Sequence, residues 1–410
     1  MDTMIDLRCR RAQPSLGFSP TSSTWAEQAR LGMTTHQASS SPASAVETEH
    51  VDVSVLIPVL NEEHHIREAV AAMLAQELDG TFELIFADGR SVDRTREILD
   101  ELATGDPRIR VLDNPGRHTA SGLNICLGAA SGEFVARMDA HTYYPSRYLA
   151  AGIERLGRRD TEWVSGPQVP QPTGPISRAV AIALSTWLGR GGSRKWSEDD
   201  TAGGEERDLD TGVFGGVWHR VAVLEIGGWD ERWPINQDSE MAARFLARGA
   251  RLVCIPEMAA RYTPRDSLRG LARQYFRYGL YRAQTFRYHP DSMRRSHLIA
   301  PALTGTLIAA VAFPRLLRRP AQAVIAFYLL AVGVTAASTA VQREQRIEGA
   351  LLTVVLPTMH FAWGFGTLIG IVRFGPPIGA FASMLGRSPE QSDGQAPHAV
   401  FAPSLHNESA

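Results

Sequence analysis

The sequence predicts an α/β domain built on a mostly parallel β-sheet, followed by transmembrane helices toward the C-terminus. Between residues 52 and 138, short apolar runs alternate with amphipathic segments, a pattern typical of parallel strands connected by helices. Beyond residue 320, uncharged apolar segments of about 20 residues are long enough to cross the hydrocarbon core of a bilayer. Together, these two patterns indicate a soluble domain attached to a membrane.

Four near-continuous apolar runs are predicted as the strands of the sheet. They span residues 53–60, 82–87, 109–112 and 133–138. Runs of this kind predict strands that are buried on both faces, as in parallel sheets covered by helices. The first two connecting helices each carry apolar residues on one face, namely Ile66, Val70, Met73 and Leu74 in the first and Ile98, Leu99 and Leu102 in the second. A third helix is predicted over residues 123–130.

Length, charge and cysteine content limit the classes of protein that fit. A chain of 410 residues can hold one large domain and an accessory part. The net charge of −2 and the pI near 6.6 carry no signature of a nucleic-acid-binding protein. Cys9, Cys126 and Cys254 stand far apart without CxxC spacing. We therefore expect neither a zinc site nor a disulfide framework, and a reducing compartment fits.

Composition divides the chain into segments. Residues 1–48 are rich in Ser, Thr, Ala, Gln and His, and we expect them to be disordered, without a signal peptide, and with Met33 as an alternative start. The predicted α/β domain covers residues 49–264. It is followed by amphipathic interfacial helices over 265–297, transmembrane helices over 298–373 and a disordered tail over 374–410.

Two long apolar segments and one weaker segment are predicted to span the membrane. Residues 321–341 contain no charge, and residues 349–372 contain His360 as their one ionisable group. Residues 298–317 form a shorter candidate. Because arginines flank this shorter segment on both sides, the positive-inside rule cannot be satisfied at both of its ends. The sequence therefore leaves the number of spans at two or three.

Polar side chains follow each of the four predicted strands. Ligands of parallel sheets bind beyond the carboxyl ends of the strands, so these loops are candidates for a site. The loops carry Pro58, Asn61, Glu62 and Glu63, then residues 88–93, then residues 114–118, and finally Asp139 and His141. The sequence contains neither a GxGxxG nor a GxxxxGK[ST] pattern, so a dinucleotide or P-loop site loses its main support. The interpretation that remains is a site in which carboxylates and a metal ion hold a nucleotide.

Asp139 and His141 stand two residues apart where the fourth strand ends. Residues at positions i and i+2 of an extended chain share a face, so both side chains could bind one ion. In the simpler alternative, Asp139 caps the helix that begins near Pro145, and His141 is an ordinary loop residue. A polar stretch over residues 189–212 is also left open, either as a lid or acceptor loop or as a disordered insertion.

The motifs of this region resemble family 2 glycosyltransferases with the GT-A fold, the Rossmann-like sheet of nucleotide-diphospho-sugar transferases. The resemblance runs from about residue 53 to residue 288 and includes VSVLIPVLNEE, FADGRSVDRT, ARMDAH and NQDSEMAARFLARGARL. The combination of DGRS, MDAH and RQYFRYG with C-terminal spans is similar to membrane glycosyltransferases of bacterial exopolysaccharide assembly, the succinoglycan type. This resemblance implies inverting transfer from a nucleoside-diphosphate sugar, with a UDP-sugar favoured, and a divalent cation, Mn²⁺ or Mg²⁺.

The resemblance also assigns roles to residues at the strand ends. It places the nucleotide-sugar beside Pro58, Glu62, Asp88, Asp93, Arg117 and Asp139. Asp88 would bind the base, and Asp93 looks like the second acid of the same loop. Asp139 matches the first acid of the family's Asp-x-Asp metal motif, and His141 stands where many members carry the second, so these two are the implied metal ligands. An imidazole ligand suits Mn²⁺ better than Mg²⁺.

A catalytic base is implied further along the chain. Asp238 lies where the family carries the acid that takes a proton from the acceptor hydroxyl. Here Gln237 replaces the usual Glu before it, and Glu240 is the alternative base. In the structural alternative, Asp238 caps a helix N-terminus.

A basic helix is predicted before the membrane segments. Arg273, Gln274 and Arg277 loosely match the Gln-x-x-Arg-Trp motif of processive synthases, and we expect them to contact the donor diphosphate. In the alternative interpretation, the helix lies at the membrane interface and its arginines meet lipid phosphates. The position of Arg282, Arg287, Arg294 and Arg295 just before the membrane segments favours this alternative for these four residues.

These observations favour a glycosyltransferase of the cell membrane with a cytoplasmic catalytic domain and a lipid-linked saccharide or lipid as acceptor. No nucleic-acid partner is expected. A processive polysaccharide synthase is one alternative, although it would need more spans. A sugar nucleotidyltransferase would normally open with a glycine-rich phosphate loop. Intact Asp88, Asp139 and Asp238 argue against a non-catalytic scaffold that binds nucleotide-sugar.

Overall fold

The fold is described from a computed structural model. The structure describes residues 50–190, 204–213, 215–342 and 345–386. The predictions of disorder for residues 1–48 and of an alternative start at Met33 lie outside the described residues, as do residues 191–203 of the polar stretch over 189–212 and the end of the tail after residue 386.

The described chain alternates strands and helices in its N-terminal half and is helical in its C-terminal part. The strands are β1 Val53–Val59, β2 Phe82–Asp88, β3 Ile109–Asp113, β4 Phe134–Arg137, β5 Thr142–Tyr143, β6 Trp163–Ser165, β7 Gln168–Pro170, β8 Arg207–Asp208, β9 Gly216–His219, β10 Leu252–Cys254 and β11 Ala260–Tyr262. The first helices are α1 Ile66–Leu74, α2 Thr95–Gly105, α3 Thr119–Ala129, α4 Tyr148–Leu156, α5 Pro175–Ser185, α6 Trp187–Arg190, α7 Arg220–Glu225 and α8 Gln237–Ala247. The later helices are α9 Leu268–Tyr288, α10 Ile299–Ala312, α11 Arg315–Gln342, α12 Arg346–Phe374 and α13 Ile378–Gly386.

The main sheet has the order β3-β2-β1-β4-β9-β6-β10-β8, and a smaller sheet has the order β5-β11-β7. Strand β1 pairs in parallel with β2 and β4, and β2 pairs in parallel with β3. Strand β9 is antiparallel to β4 and β6. This topology confirms the predicted α/β class with a mostly parallel sheet, and it aligns the carboxyl ends of β1 to β4 at one edge.

Burial on both faces explains why β1 and β2 are almost entirely apolar. Successive side chains of a strand point to opposite faces. Val55 and Ile57 of β1 pack in the core on one side of the sheet, whereas Leu56 packs with Ile85 on the other side. Because no face of these strands meets water, a polar residue is stable there only with a hydrogen-bond partner, as for Ser54, whose hydroxyl donates to Glu83 Oε1 at 2.7 Å. This central pair positions the loops of the candidate site.

Three helices of the C-terminal part are long and apolar enough to cross a membrane. They cover Arg295–Ala312, Arg318–Gln342 and Arg346–Phe374. Large apolar side chains such as Phe327 and Val372 are exposed on them, as expected for helices that face lipid. The segment over residues 298–317, the weaker of the predicted spans, therefore overlaps one of these candidate membrane helices.

Two segments differ from the sequence-based expectation. The region predicted as interfacial helices consists mainly of α9, which is buried between the α/β domain and α12 rather than lying alone at an interface. Gly279 of α9 lies so close to α12 that an added Cβ would stand 2.0 Å from the carbonyl oxygen of Trp363. The predicted disordered tail begins with helix α13, because Ala380 packs against Phe286 and Met293.

Candidate active site

The loops after β1 and β2 are joined by hydrogen bonds at the carboxyl edge of the sheet. The backbone N–H of Asn61 donates to Ser91 Oγ at 2.9 Å, and the N–H of Val92 donates to Asn61 Oδ1 at 2.9 Å. The N–H of Glu62 donates to Thr95 Oγ1 at 2.7 Å. These reciprocal bonds hold Glu62 beside the end of β2. The two loops therefore form one rigid rim.

Asp93 and Asp88 are both held within this rim. Asp93 accepts hydrogen bonds from the backbone N–H groups of Thr95, at 3.0 Å, and Glu63, at 3.2 Å. Burial acts to raise the pKa of Asp93, but the bonds from Thr95 and Glu63 outweigh it and lower the pKa. Asp88 is buried and accepts a hydrogen bond from Ser91 Oγ at 2.6 Å. Asp93 therefore has a clear structural function here, and its contact with a nucleotide stays a prediction.

Several residues of this edge have left-handed backbone conformations that are unfavourable for residues other than glycine. Asn61, Arg90 and Arg117 each have φ of 57°, and Asn236, before α8, has φ of 65°. Backbone strain of this kind concentrates at functional sites. Arg117 is exposed in the loop after β3, and Pro58 is half-buried against helix α3.

A buried arginine, Arg137, bridges the two acids for which the sequence implied different roles. Its Nε donates to Asp139 Oδ1 at 2.9 Å and its Nη2 to Asp139 Oδ2 at 3.0 Å. Its Nη1 donates to Asp238 Oδ1 at 2.6 Å. The side chains of Arg137, Asp139 and Asp238 are 5%, 13% and 14% exposed. The carboxyl end of β4 and the N-terminus of α8 therefore meet at one guanidinium.

The guanidinium of Arg137 and the carboxylates of Asp139 and Asp238 stabilise one another in their charged forms. Burial acts to lower the pKa of Arg137, but the carboxylates of Asp139 and Asp238 outweigh it and raise the pKa. Burial likewise acts to raise the pKa of Asp139, and the charge of Arg137, with a further contribution from His141, lowers it. Arg137 thus stays charged and Asp139 ionised at neutral pH. Sequence reasoning missed Arg137, although its position two residues before Asp139 places both side chains on one face.

His141 contacts the loop after β1 rather than Asp139. Its Nδ1 lies 3.1 Å from Glu62 Oε1, and its side chain is 61% exposed. The hydrogen bond to Glu62 raises the pKa of His141 against the effect of burial, and the charge of Asp139 adds to the rise. The neighbouring carboxylates of Glu62 and Asp139 therefore favour a positive charge on the His141 ring.

The predicted metal ligands, Asp139 and His141, are not assembled as a closed metal site. In the part of the chain that the structure describes, no group of three or more His, Cys, Asp or Glu residues is arranged to hold an ion. Both oxygens of Asp139 accept hydrogen bonds from Arg137. The two side chains nevertheless belong to ligand types that divalent cations bind, a carboxylate and an imidazole, so Asp139 and His141 stay the predicted ligands.

Helix α8 carries both of the acids considered as a base. Asp238 lies in its first turn and contacts Arg137. Glu240 is 1% exposed and is held by Arg244, with two bonds of 2.7 Å, and by His289 at 3.1 Å. These contacts hold Glu240 beside Arg244 and His289, whereas Asp238 contacts Arg137. The geometry therefore favours Asp238 over Glu240 as the candidate base.

Helix α9 contacts the N-terminus of α8. The side-chain amide of Asn236 donates to the carbonyl oxygen of Tyr278 at 3.0 Å, and Gln274 Nε2 donates to the Tyr278 hydroxyl at 2.9 Å. The charge of Asp238 acts on Tyr278, which burial already shifts to a higher pKa. Gln274 therefore lies on the face of α9 that contacts the site, whereas Arg273 and Arg277 are exposed.

Comparison with known proteins identifies related chains. Residues 54–203 match the family model described as Glycosyl transferase family 2. The succinoglycan biosynthesis protein ExoA of Rhizobium meliloti (strain 1021) is 31% identical over 324 residues, which cover 76% of this chain and 92% of that protein.

Two further similarities are narrower in extent or identity. The UDP-Glc:alpha-D-GlcNAc-diphosphoundecaprenol beta-1,3-glucosyltransferase WfgD of Escherichia coli is 30% identical over 115 residues, 28% of this chain and 44% of that protein. A solved mannosyltransferase from Pyrobaculum calidifontis, in complex with GDP-Man and Mn²⁺, covers 82% of this chain and 93% of its own, with 18% identity and a TM-score of 0.45.

Proposed function

Because the chain belongs to glycosyltransferase family 2, we propose that it is an inverting enzyme that transfers a sugar from a UDP-sugar or similar nucleoside-diphosphate sugar to a lipid-linked saccharide or membrane lipid. The observation that carries this proposal is the Arg137 bridge, which joins Asp139 at the end of β4 to Asp238 at the start of α8. It brings the implied donor and acceptor sides of the reaction to one point at the carboxyl edge of the sheet.

Asp238 acts in this proposal as the general base. The acceptor oxygen forms a bond to the anomeric carbon while the bond from that carbon to the diphosphate oxygen breaks. The proton of the acceptor hydroxyl passes to the Asp238 carboxylate. Arg137 orients that carboxylate through its 2.6 Å hydrogen bond, so the base is held before the acceptor arrives.

In this proposal, the donor lies at the carboxyl edge of the sheet, against the loops that follow β1 to β4. Asp88 and the half-buried Pro58 border the nucleotide, with Asp93 and Arg117 in the neighbouring loops, and Arg273, Gln274 and Arg277 approach the diphosphate from α9. Glu62 borders the nucleotide-sugar, and Asp139 and His141 would hold a divalent cation, Mn²⁺ or Mg²⁺. When bound, such an ion neutralises the negative charge that develops on the leaving diphosphate.

We place the enzyme in the cell membrane, with its catalytic domain on the cytoplasmic side and its product in cell-surface or extracellular polysaccharide. The three apolar helices and the close contact of α9 with α12 support an acceptor that resides in the bilayer. The relative ExoA is named for succinoglycan biosynthesis, and the name of WfgD specifies a diphosphoundecaprenol acceptor. Both names are consistent with a lipid-linked acceptor here.

The test is sugar transfer by membranes that contain the full chain, with a panel of nucleotide-sugars and a bacterial lipid extract. Parallel reactions contain Mn²⁺, Mg²⁺ or EDTA. We expect one donor to be used in a metal-dependent reaction, with Asp238→Asn losing transfer but keeping nucleotide binding. Asp100→Asn, which changes an exposed acid of α2, is the matched control and should keep full transfer. Transfer that survives in Asp238→Asn would refute the assignment of the base, and a ladder of products from one acceptor would indicate a processive synthase instead.

A further inference from the structure

Arg282 is a cation inside the protein without an acidic partner. It lies on α9, is half-buried, and donates from Nη2 to the hydroxyl of Ser239 at 3.2 Å. Burial lowers its pKa to about 10, with no carboxylate offsetting the effect. Among the residues that the structure describes, no acid forms an ion pair with it. A hydroxyl oxygen is a weak partner for a desolvated guanidinium.

Three other arginines with little exposed surface follow the usual rule that such charges are paired. Arg137 binds Asp139 and Asp238, and Arg155 binds Asp160 and Glu206. Arg244 binds Glu240 through two hydrogen bonds. Arg282 is the exception among these four. The missing partner of Arg282 is therefore an anion that comes from outside the described chain.

The position of Arg282 indicates which anion reaches it. Ser239, its hydrogen-bond partner, follows Asp238 directly in the first turn of α8, so the guanidinium lies at the end of the helix that carries the proposed base. On its other side, the charges of Arg282 and Arg294 both act on His297. The ring of His297 packs against Phe286, at a centroid distance of 5.0 Å, and against Trp363 of α12 at 6.3 Å. Arg282 thus stands between the base and the helices of the membrane segment.

We propose that Arg282 binds the phosphate of the lipid-linked acceptor. This inference rests on the proposed function and names the group of the acceptor that the protein recognises. In inverting transfer, the acceptor approaches the anomeric carbon from the side opposite the leaving diphosphate. The donor loops follow β1 to β4, whereas Arg282 contacts the first turn of α8 from α9, which precedes the membrane helices. A phosphate or diphosphate that links a saccharide to a polyprenyl chain would supply the missing charge and place the attacking sugar beside Asp238.

The test measures lipid binding by the full chain in nanodiscs of phosphatidylcholine. The probes are undecaprenyl diphosphate, undecaprenol without phosphate, and UDP. We expect the wild type to bind the lipid diphosphate at least about 10-fold more tightly than the lipid alcohol. Arg282→Gln should lose this preference and keep wild-type affinity for UDP. Arg282→Lys should keep part of the preference, because the charge remains but the planar pair of donors is lost.

Arg269→Gln is the matched control, since it removes an exposed arginine from the same helix and should retain the wild-type preference. Loss of UDP affinity in Arg282→Gln, with the lipid preference intact, would assign the cation to the donor diphosphate and overturn the proposal. Loss of the preference in nanodiscs of anionic phosphatidylglycerol would show that bulk headgroups satisfy Arg282, which also overturns it. A wild type without any preference would instead overturn the lipid-linked acceptor of the proposed function, whereas a preference that persists in Arg282→Gln overturns only the role of Arg282.

Discussion

Replacing Arg137 by Met is the sharpest test of the candidate site, because one side chain joins both of its acids. The substitution removes three hydrogen bonds, of 2.9, 3.0 and 2.6 Å, and leaves Asp139 and Asp238 only 13% and 14% exposed. At an effective dielectric constant of about 20, one ion pair at about 4 Å amounts to about 4 kcal/mol. Removal of one partner from buried pairs typically costs about 3–5 kcal/mol. We therefore expect the free energy of unfolding to fall by about 3 kcal/mol or more.

This loss of stability corresponds to a decrease of about 10 °C in the melting temperature for a domain of this size. It can be followed in detergent by the fluorescence of the buried Trp163 and Trp218. Arg155→Met is the matched control, since Arg155 is 4% exposed and also bridges two acids, Asp160 and Glu206, that have no part in the proposed site. Both variants should lose stability, but only Arg137→Met should lose transfer per folded molecule, by about 100-fold. Wild-type transfer with a melting temperature within about 3 °C of the wild type would refute the reasoning.

Two further predictions concern stability and the membrane contact. Burial raises the pKa of Glu83, but bonds from Ser131, Ser54 and Arg110 outweigh it and hold the pKa below the usual 4.5. The stabilisation is therefore present above about pH 4.5 and is lost as the pH falls through the lowered pKa. Glu83→Gln should cost about 1–3 kcal/mol at pH 7, with a difference in melting temperature that shrinks below pH 4. A difference that is constant with pH would contradict this. Gly279→Ala would place a methyl group 2.0 Å from the Trp363 carbonyl oxygen, so it should lower the free energy of unfolding by about 1–3 kcal/mol and reduce transfer. The control Gly333→Ala, where an added Cβ meets nothing within 4 Å, should have neither effect. Equal behaviour of the two variants would refute the close helix contact.

Local pattern was sufficient for the fold class and for placing the candidate residues at one edge of the sheet. A strand buried on both faces is apolar at most positions, so β1 and β2 could be recognised from their residues alone, although Ser54 and Glu83 are buried in them too. Helices in contact with lipid must be apolar over a bilayer's thickness, which made the C-terminal segments visible. The polar residues after these strands could be placed at one edge, because parallel strands end together.

The smaller features were less accessible to such reasoning. Helix α13 lies in a segment that composition predicts to be disordered, and it is held by a contact with residues about 90 positions earlier. The basic stripe of α9 suggested Arg273 and Arg277, but both are exposed. The face of α9 that meets α8 was decided by the close approach of Gly279 to α12, which fixes the rotation of the helix.

The sequence by itself determined the α/β class, the apolar helices and the acids at the strand ends, because periodicity and composition are properties of neighbouring residues. Only the tertiary structure decided what those acids contact. Arg137 and Asp238 are 101 residues apart, and Arg282 and Ser239 are 43 apart, and nothing in either local pattern encodes the pairing. Such pairs are formed by the packing of the whole sheet and of α8 and α9 upon it, which brings together side chains that are far apart in the sequence.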